Sequence, residues 1–454
     1  MKAFSKSFLM LATWVAMTLT SCSKVDNSAV GPQPTEPEKA RYSVIVYGNA
    51  GGRMDHIIES VWERCKPLMK DGTVRVAFFY KYGKDSKDEP FRGQYAKPGD
   101  VVFFELTKDT KLEDISKDAF NSSEWPLYNP ASLTYAINTV KENMPAEEYI
   151  FVLYGHGGGF DVNIDYPKDW RKDDVPANRR GVLYDEWIPT IAGAEAMDMY
   201  EFRDGIMDSE VSHFKGIFFH NCLMGNMEIL DDIYDVSDYL ITSMHVLSSD
   251  GTSIVELIKG LYDTSDFEAA AKQMFGRIKP GMPEEYSYDG VKINGDMNLI
   301  KTSEFNKLNP IFTKLAKRLV ELYPTQKEAI DRAGDKTYKV DRSNPFFDAL
   351  DYANKLAAET NDEQLKAISA ELKAAFDATF ADRIGAYQKE DAPMKEFTLS
   401  LVLTDKEGYN KKTAWDYLFS KAYDFTDFSI ITEWNKWLQT NTHVPTNNPT
   451  GQIF

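Results

Sequence analysis

From Tyr42 onward, short apolar runs alternate with segments whose apolar residues recur every three or four positions. This is the pattern of a mostly parallel β-sheet covered by helices. Runs at 44–47, 74–79, 101–106, 149–154, 216–219 and 239–242 predict six strands. Several are apolar on both faces, as strands buried between two helical layers must be. Leu133, Ala136, Ile137, Val140 and Met144 follow Asn129-Pro130 at helical spacing, so a helix starts there and lays one face on the sheet. Beyond about Gly251 the helical patterns lengthen: Phe305, Leu308, Ile311, Phe312, Leu315, Leu319 and Leu322 mark one, and another begins at Asn361 with Gln364 placed for a capping box. Phe397, Leu399, Leu401 and Leu403 alternate with Thr398, Ser400 and Val402, which predicts one more strand. The expected organisation is an α/β domain over residues 41–250 and a mainly helical region over 251–454 packed on it. Trp415, Trp434 and Trp437 read as packing anchors of that region.

The N-terminus has a different character. Lys2 and Lys6 precede an apolar stretch over 8–19 that has no acidic residue and is too short to span a bilayer comfortably. It ends in Leu19-Thr20-Ser21-Cys22, which resembles the lipobox where bacterial signal peptidase cuts and the cysteine receives lipid. Residues 1–21 are therefore expected to be a lipoprotein signal, and Cys22 the site of a membrane anchor in the bacterial cell envelope. An ordinary cleaved signal with a chance cysteine is the alternative. Residues 22–40 carry Pro32, Pro34 and Pro37 and almost nothing apolar, so they read as an extended tether.

The formal charge is -18, or -18 - 2 = -20 once Lys2 and Lys6 are removed, which argues against nucleic acid as a partner. Only three cysteines occur, Cys22, Cys65 and Cys222, too few for a disulfide framework. Cys65 falls within a helical pattern and reads as a half-buried core residue.

Chemistry concentrates in two motifs at strand ends, where open α/β sheets place their sites. The first is Tyr154-Gly155-His156-Gly157-Gly158-Gly159. Its glycines let the backbone turn sharply and approach a ligand, so His156 is expected to be exposed rather than buried. The second is Phe219-His220-Asn221-Cys222-Leu223-Met224-Gly225-Asn226-Met227-Glu228. Leu223, Met227, Leu230 and Tyr234 predict a helix beginning just after Cys222, which would set the sulfur at a helix N-terminus and favour thiolate. An imidazole nearby would lower the thiol pKa further and carry its proton to a leaving amine. A turn histidine without a task and a small buried cysteine are the plainer alternatives.

These motifs resemble the clostripain family of cysteine peptidases, which carry a glycine-flanked histidine after one strand and an Asp-x-Cys-Leu-Met signature after the next. The resemblance implies a caspase-like fold, shared with legumain and the gingipains, with Cys222 as nucleophile, His156 as base and Gly157 in the oxyanion hole. It implies a protein or peptide substrate, cut after arginine or lysine, and no organic cofactor. One departure weakens the basic preference. The family's aspartate two residues before the cysteine is His220 here, so a bound guanidinium loses a matched carboxylate. Asp250 falls near a second acidic position of the family's pocket. His220, two positions before Cys222, is also a rival base.

Some relatives cut themselves after basic residues, which makes Arg171-Lys172 and Arg179-Arg180 candidate processing sites in what otherwise reads as a surface loop. Clostripain itself depends on calcium, yet neither an Asp-x-Asp-x-Asp-Gly loop nor HExxH is present, so no metal ligands are assigned. From another class, the rival reading is a surface lipoprotein that binds peptide or glycan on the same scaffold without turnover.

Overall fold

Eight strands form one mixed sheet: β1 (Ala40–Gly48), β2 (Val74–Lys81), β3 (Val101–Leu106), β4 (Ala146–Tyr154), β5 (Phe214–His220), β6 (Ser237–Thr242), β7 (Gly295–Lys301) and β8 (Phe380–Ala386). Their order across the sheet is β8-β7-β6-β5-β4-β1-β2-β3. The computed structural model describes residues 39–49, 51–87, 90–119, 125–160, 182–185, 195–247, 250–279, 286–288, 291–293, 295–340, 345–386, 398–410 and 423–445. The five central strands run parallel, and β3, β7 and β8 close the two edges antiparallel.

The six strands expected from the apolar runs are all present, each starting earlier or at the same residue. The last two were not anticipated, for a physical reason. In β7 Asp296 and Asn298 are buried, and β8 carries Asp382 and Arg383, so neither strand reads as apolar. Both lie beyond residue 251, so the sheet draws on the chain's second half. Residues 400–402 do form a strand, but Ser400–Val402 pairs with Phe346–Asp348 and not with the sheet.

One face of the sheet is covered by α1 (Asp55–Cys65), α5 (Thr252–Asp263) and α6 (Phe267–Ile278), whose apolar residues join Val44, Phe78, Val152 and Phe218 in one core. Trp62 centres it, edge-on to Phe78, Tyr80, Tyr82 and Phe104 with ring centroids at 5.2–6.2 Å. The other face is covered by α2 (Pro130–Asn143), α3 (Met199–Met207), α4 (Met227–Asp231), α7 (Asn309–Lys336), α8 (Ala349–Thr360) and α9 (Glu363–Thr379). Asn129 caps α2, accepting the N–H of Ala131, and the five expected apolar positions are all buried. α9 begins one residue later than the capping-box reading had it. Asp362 is its N-cap, accepting from Leu365, while Asn361 at φ +54 ends the preceding helix.

The chain's second half is stitched to the segment after β5. Ser400 N donates to Gly225 O at 2.8 Å. Glu228, in α4, accepts from Val402 N at 2.9 Å and from Tyr423 Oη at 2.7 Å. Trp434 Nε1 donates to Val402 O at 3.0 Å, and both Trp434 and Trp437 are buried as packing anchors.

Candidate active site

β4 and β5 are parallel neighbours with Tyr154 opposite His220, so the segments that follow them emerge side by side at the carboxyl edge. The ladder runs one step further, Gly155 N donating to His220 O at 3.5 Å. Gly155 has φ +147, and a Cβ there would lie 2.0 Å from Asn49 O, so only glycine fits. The turn it makes leaves His156 exposed at its crest. Gly157 then lies on the backbone of Cys222: a Cβ on it would sit 2.6 Å from Cys222 O and 2.7 Å from Asn221 Cβ.

Asn221 locks the two segments together. Its Nδ2 donates to Gly155 O and to His156 O, both at 3.0 Å, and the side chain is fully buried. Cys222 follows in a turn, half-buried, and Leu223 takes φ +63, a conformation that β- and γ-substituted residues seldom adopt. That strain is held by Leu223 N donating to His245 O at 3.0 Å and Gly225 N donating to Ser243 O at 2.6 Å.

The helix expected just after Cys222 begins only at Met227, with Asn226 as its N-cap. The intervening residues zip along 243–247 instead of winding up, and Gly225 approaches so closely that a Cβ would meet Met244 N at 2.7 Å. The sulfur is therefore not at a helix N-terminus. Desolvation pushes the Cys222 thiol up, partly offset by the backbone N–H groups of Leu247 and of Cys222 itself, which is the opposite of the lowering expected from the sequence. Cys65 is fully buried rather than half-buried, and desolvation pushes its thiol up to about 12.

His220 is not placed as a rival base. β5 ends at this residue, so alternation does not carry through to Cys222. His220 lies on the α1 face between Tyr154 and Phe218, ring centroids at 5.3 and 5.6 Å, whereas Cys222 packs against the core of the opposite face. Burial drives the His220 imidazole down to about 4 against the opposing pull of Asp250, so it is neutral at physiological pH. Asp250 itself is exposed; its Oδ1 accepts Thr252 N at 2.9 Å, and its carbonyl accepts Arg64 Nη2 at 2.5 Å.

Asn221 escaped the sequence reading although it stands inside the cysteine motif, because nothing local shows that its amide reaches back across the strand pair. Cys22, Arg171-Lys172, Arg179-Arg180 and Trp415 lie outside the described residues. Among the described residues no group of three or more His, Cys, Asp or Glu is gathered to hold a metal ion, and no helix is long and apolar enough to cross a membrane.

A family model described as the clostripain family matches residues 101–439. No curated protein matches the chain. Similar solved structures include a secreted C11 cysteine protease from Bacteroides thetaiotaomicron bound to an irreversible peptide inhibitor, at 14% identity over 87% of this chain and 99% of that chain, TM-score 0.60. A structure of iotapain, a secreted C11 cysteine protease of the same organism, aligns at 16% identity over 87% of this chain and 100% of that one, TM-score 0.57. An inactive zymogen C11 protease from Parabacteroides distasonis aligns at 14% identity over 87% and 99%, TM-score 0.53. Identities this low establish the caspase-like fold alone. The family model, spanning well over half of the 454 residues, establishes more: the chain belongs to the clostripain family and is a cysteine peptidase.

Proposed function

We propose that the chain is an endopeptidase in which Cys222 is the nucleophile and His156 the general base. The observation that carries this reading is the seating of the His156 loop on the backbone of Cys222, with Gly157 in contact and Asn221 bonded to both sides. A half-buried thiol whose burial disfavours the ion keeps its proton until an electrophile, whether substrate or alkylating agent, stands beside it and His156 removes it. His156 then takes that proton as Sγ attacks the scissile carbonyl carbon. The oxyanion that forms is held by the N–H groups of Cys222 and Gly157. His156 returns the proton to the leaving amine, the C–N bond breaks, and a thioester remains. Water, deprotonated by His156, attacks the thioester, the C–S bond breaks, and the thiol is regained.

The residue before the cut is proposed to be arginine or lysine, drawn by the exposed Asp250. A neutral His220 in place of a carboxylate makes that preference weaker than two acids would. The segment before Cys22 and the description of one similar structure as a secreted protease support export, with Cys22 as a lipid anchor.

Iodoacetamide at neutral pH followed by peptide mass spectrometry tests the nucleophile. Alkylation of Cys222 far ahead of Cys65 is expected, along with loss of peptide hydrolysis in Cys222→Ala. Equal or absent labelling of the two would instead point to a binding protein without turnover. Intact mass of the wild type beside Cys222→Ala tests self-processing at Arg171-Lys172 or Arg179-Arg180; the same fragments in both exclude it. Digestion of a peptide library reads the preference at the cut.

A further inference from the structure

A polar cluster behind the nucleophile turn is used by none of the chemistry above. β6 ends at Thr242, and the next residues, 243–247, run antiparallel to the turn that carries Cys222. Their contacts fall on every second residue: Ser243 O accepts Gly225 N at 2.6 Å and His245 O accepts Leu223 N at 3.0 Å. This strap therefore holds the turn on which Cys222 sits.

The strap is rooted in one buried carboxylate. β7 runs antiparallel to β6 with Asn298 opposite Thr242, so Asp296, two residues earlier, reaches past the end of β6 to the same edge as the catalytic segments. Asp296 Oδ1 accepts Ser243 Oγ at 2.7 Å, His245 N at 3.0 Å and His245 Nδ1 at 2.9 Å. Its Oδ2 accepts Met244 N at 3.3 Å and Asn298 Nδ2 at 2.8 Å. Burial acts to raise this carboxyl, yet the His245 imidazole, the Ser243 hydroxyl and the Met244 N–H together hold it below the usual carboxylate range. An ionised carboxylate only accepts, so Nδ1 of His245 carries a hydrogen, and Nε2 faces Tyr338 Oη at 2.9 Å. Tyr338 N donates in turn to Asp351 Oδ2 at 2.7 Å, joining the cluster to α8. His245 and Asp296 are each 1% exposed, so neither touches substrate.

We infer that Asp296, His245 and Tyr338 are positioning residues for peptide hydrolysis, which hold the strap 243–247 so that Leu223 keeps its left-handed backbone and the turn holds Cys222 in place. The proposal rests on Cys222 being the nucleophile. A group that merely supported the fold would change stability and leave the folded enzyme's thiol chemistry alone. A positioning group changes the reactivity of Cys222 in the folded protein, because a strap released from Asp296 lets the turn relax and displaces the sulfur.

The test uses the full chain and three variants, each read by the iodoacetamide rate at Cys222, by kcat and KM on one peptide, and by thermal melting. His245→Phe keeps a flat aromatic ring and removes both side-chain bonds; kcat and the alkylation rate are expected to fall tenfold or more with KM within twofold. His245→Asn, whose amide nitrogen stands where Nδ1 was, is expected to recover most of that loss. Tyr338→Phe removes one hydroxyl and is expected to lower both rates about threefold; it decides the matter if His245→Phe fails to fold. Wild-type alkylation rate and kcat in folded Tyr338→Phe and His245→Phe would overturn the proposal. Failure of the wild type to alkylate Cys222 ahead of Cys65 would instead sink the assignment of the nucleophile, which keeps the two failures apart.

Discussion

Asn221 gives both hydrogens of its side-chain amide to the carbonyl oxygens of Gly155 and His156, each at 3.0 Å. The residue before the thiol thus fixes the loop that carries the imidazole, and two segments some sixty-five positions apart in the chain behave as one unit.

That bond pair makes a sharp prediction, because among the described residues the amide acts only as a donor and its Oδ1 has no partner. Asn221→Ala removes two buried hydrogen bonds, each worth about 1 kcal/mol, and is expected to lower kcat roughly tenfold. Asn221→Asp sets a carboxylate against two carbonyl oxygens and is expected to cost roughly a hundredfold or more at neutral pH, despite being nearly isosteric. Steady-state hydrolysis of a peptide substrate, with melting as a check on folding, separates the two; equal rates for both would contradict the donor role.

Gly157 offers a steric test. A methyl group there would meet Cys222 O at 2.6 Å and push the nucleophile turn and the histidine loop apart. Gly157→Ala is expected to fold and to lose peptide hydrolysis at least a hundredfold. Gly276→Ala is the control: within α6 its Cβ would meet nothing within 4 Å, so activity stays and stability rises by about 0.5–1 kcal/mol.

The two histidines should part company. His156→Ala is expected to abolish turnover, while His220→Ala mainly changes which residue is accepted before the cut. His220→Asp, which installs the carboxylate that the family carries, should raise the preference for arginine and lysine over neutral residues. Retained turnover in His156→Ala beside a dead His220→Ala would reverse the roles assigned to them.

The six apolar strands and the helix α2 were legible because strand period, helix period and the Asn129-Pro130 start all agree locally. That the His156 loop and the Cys222 segment adjoin was legible because both motifs are contiguous and stand at the ends of neighbouring strands. What stayed hidden depends on pairing across the chain. Asp296 reads as a polar residue in an unpromising stretch, and only the register of β7 on β6 brings it to His245, fifty-one positions earlier. The helix start after Cys222 was misplaced for a similar reason. Apolar spacing from Leu223 fits a helix, but hydrogen bonds to Ser243 and His245 claim the turn first.

Glu228 links the nucleophile segment to the chain's second half and gives the enzyme a pH signature. Its side chain is fully buried with Oε2 unpartnered among the described residues, and burial pushes its carboxyl up to about 7 against the pull of Val402 N and Tyr423 Oη. Asp231, on the same helix, is likewise pushed up to about 7 by burial. A carboxyl whose pKa is higher folded than unfolded binds protons more tightly in the folded state. Its stabilising share is complete below the ordinary value of 4.5 and is lost as pH rises through about 7. His220 acts with the opposite sign between about 4 and 6.5, so the wild-type profile mixes both effects. The difference between wild type and Glu228→Gln isolates the carboxyl, since the amide oxygen can still accept from Val402 and Tyr423. By urea denaturation the two should be nearly equal at pH 4.5, with Glu228→Gln the more stable at pH 8 by on the order of 3 kcal/mol at most. A variant less stable than wild type at pH 8, or a difference that does not change with pH, would show that Glu228 is ionised throughout.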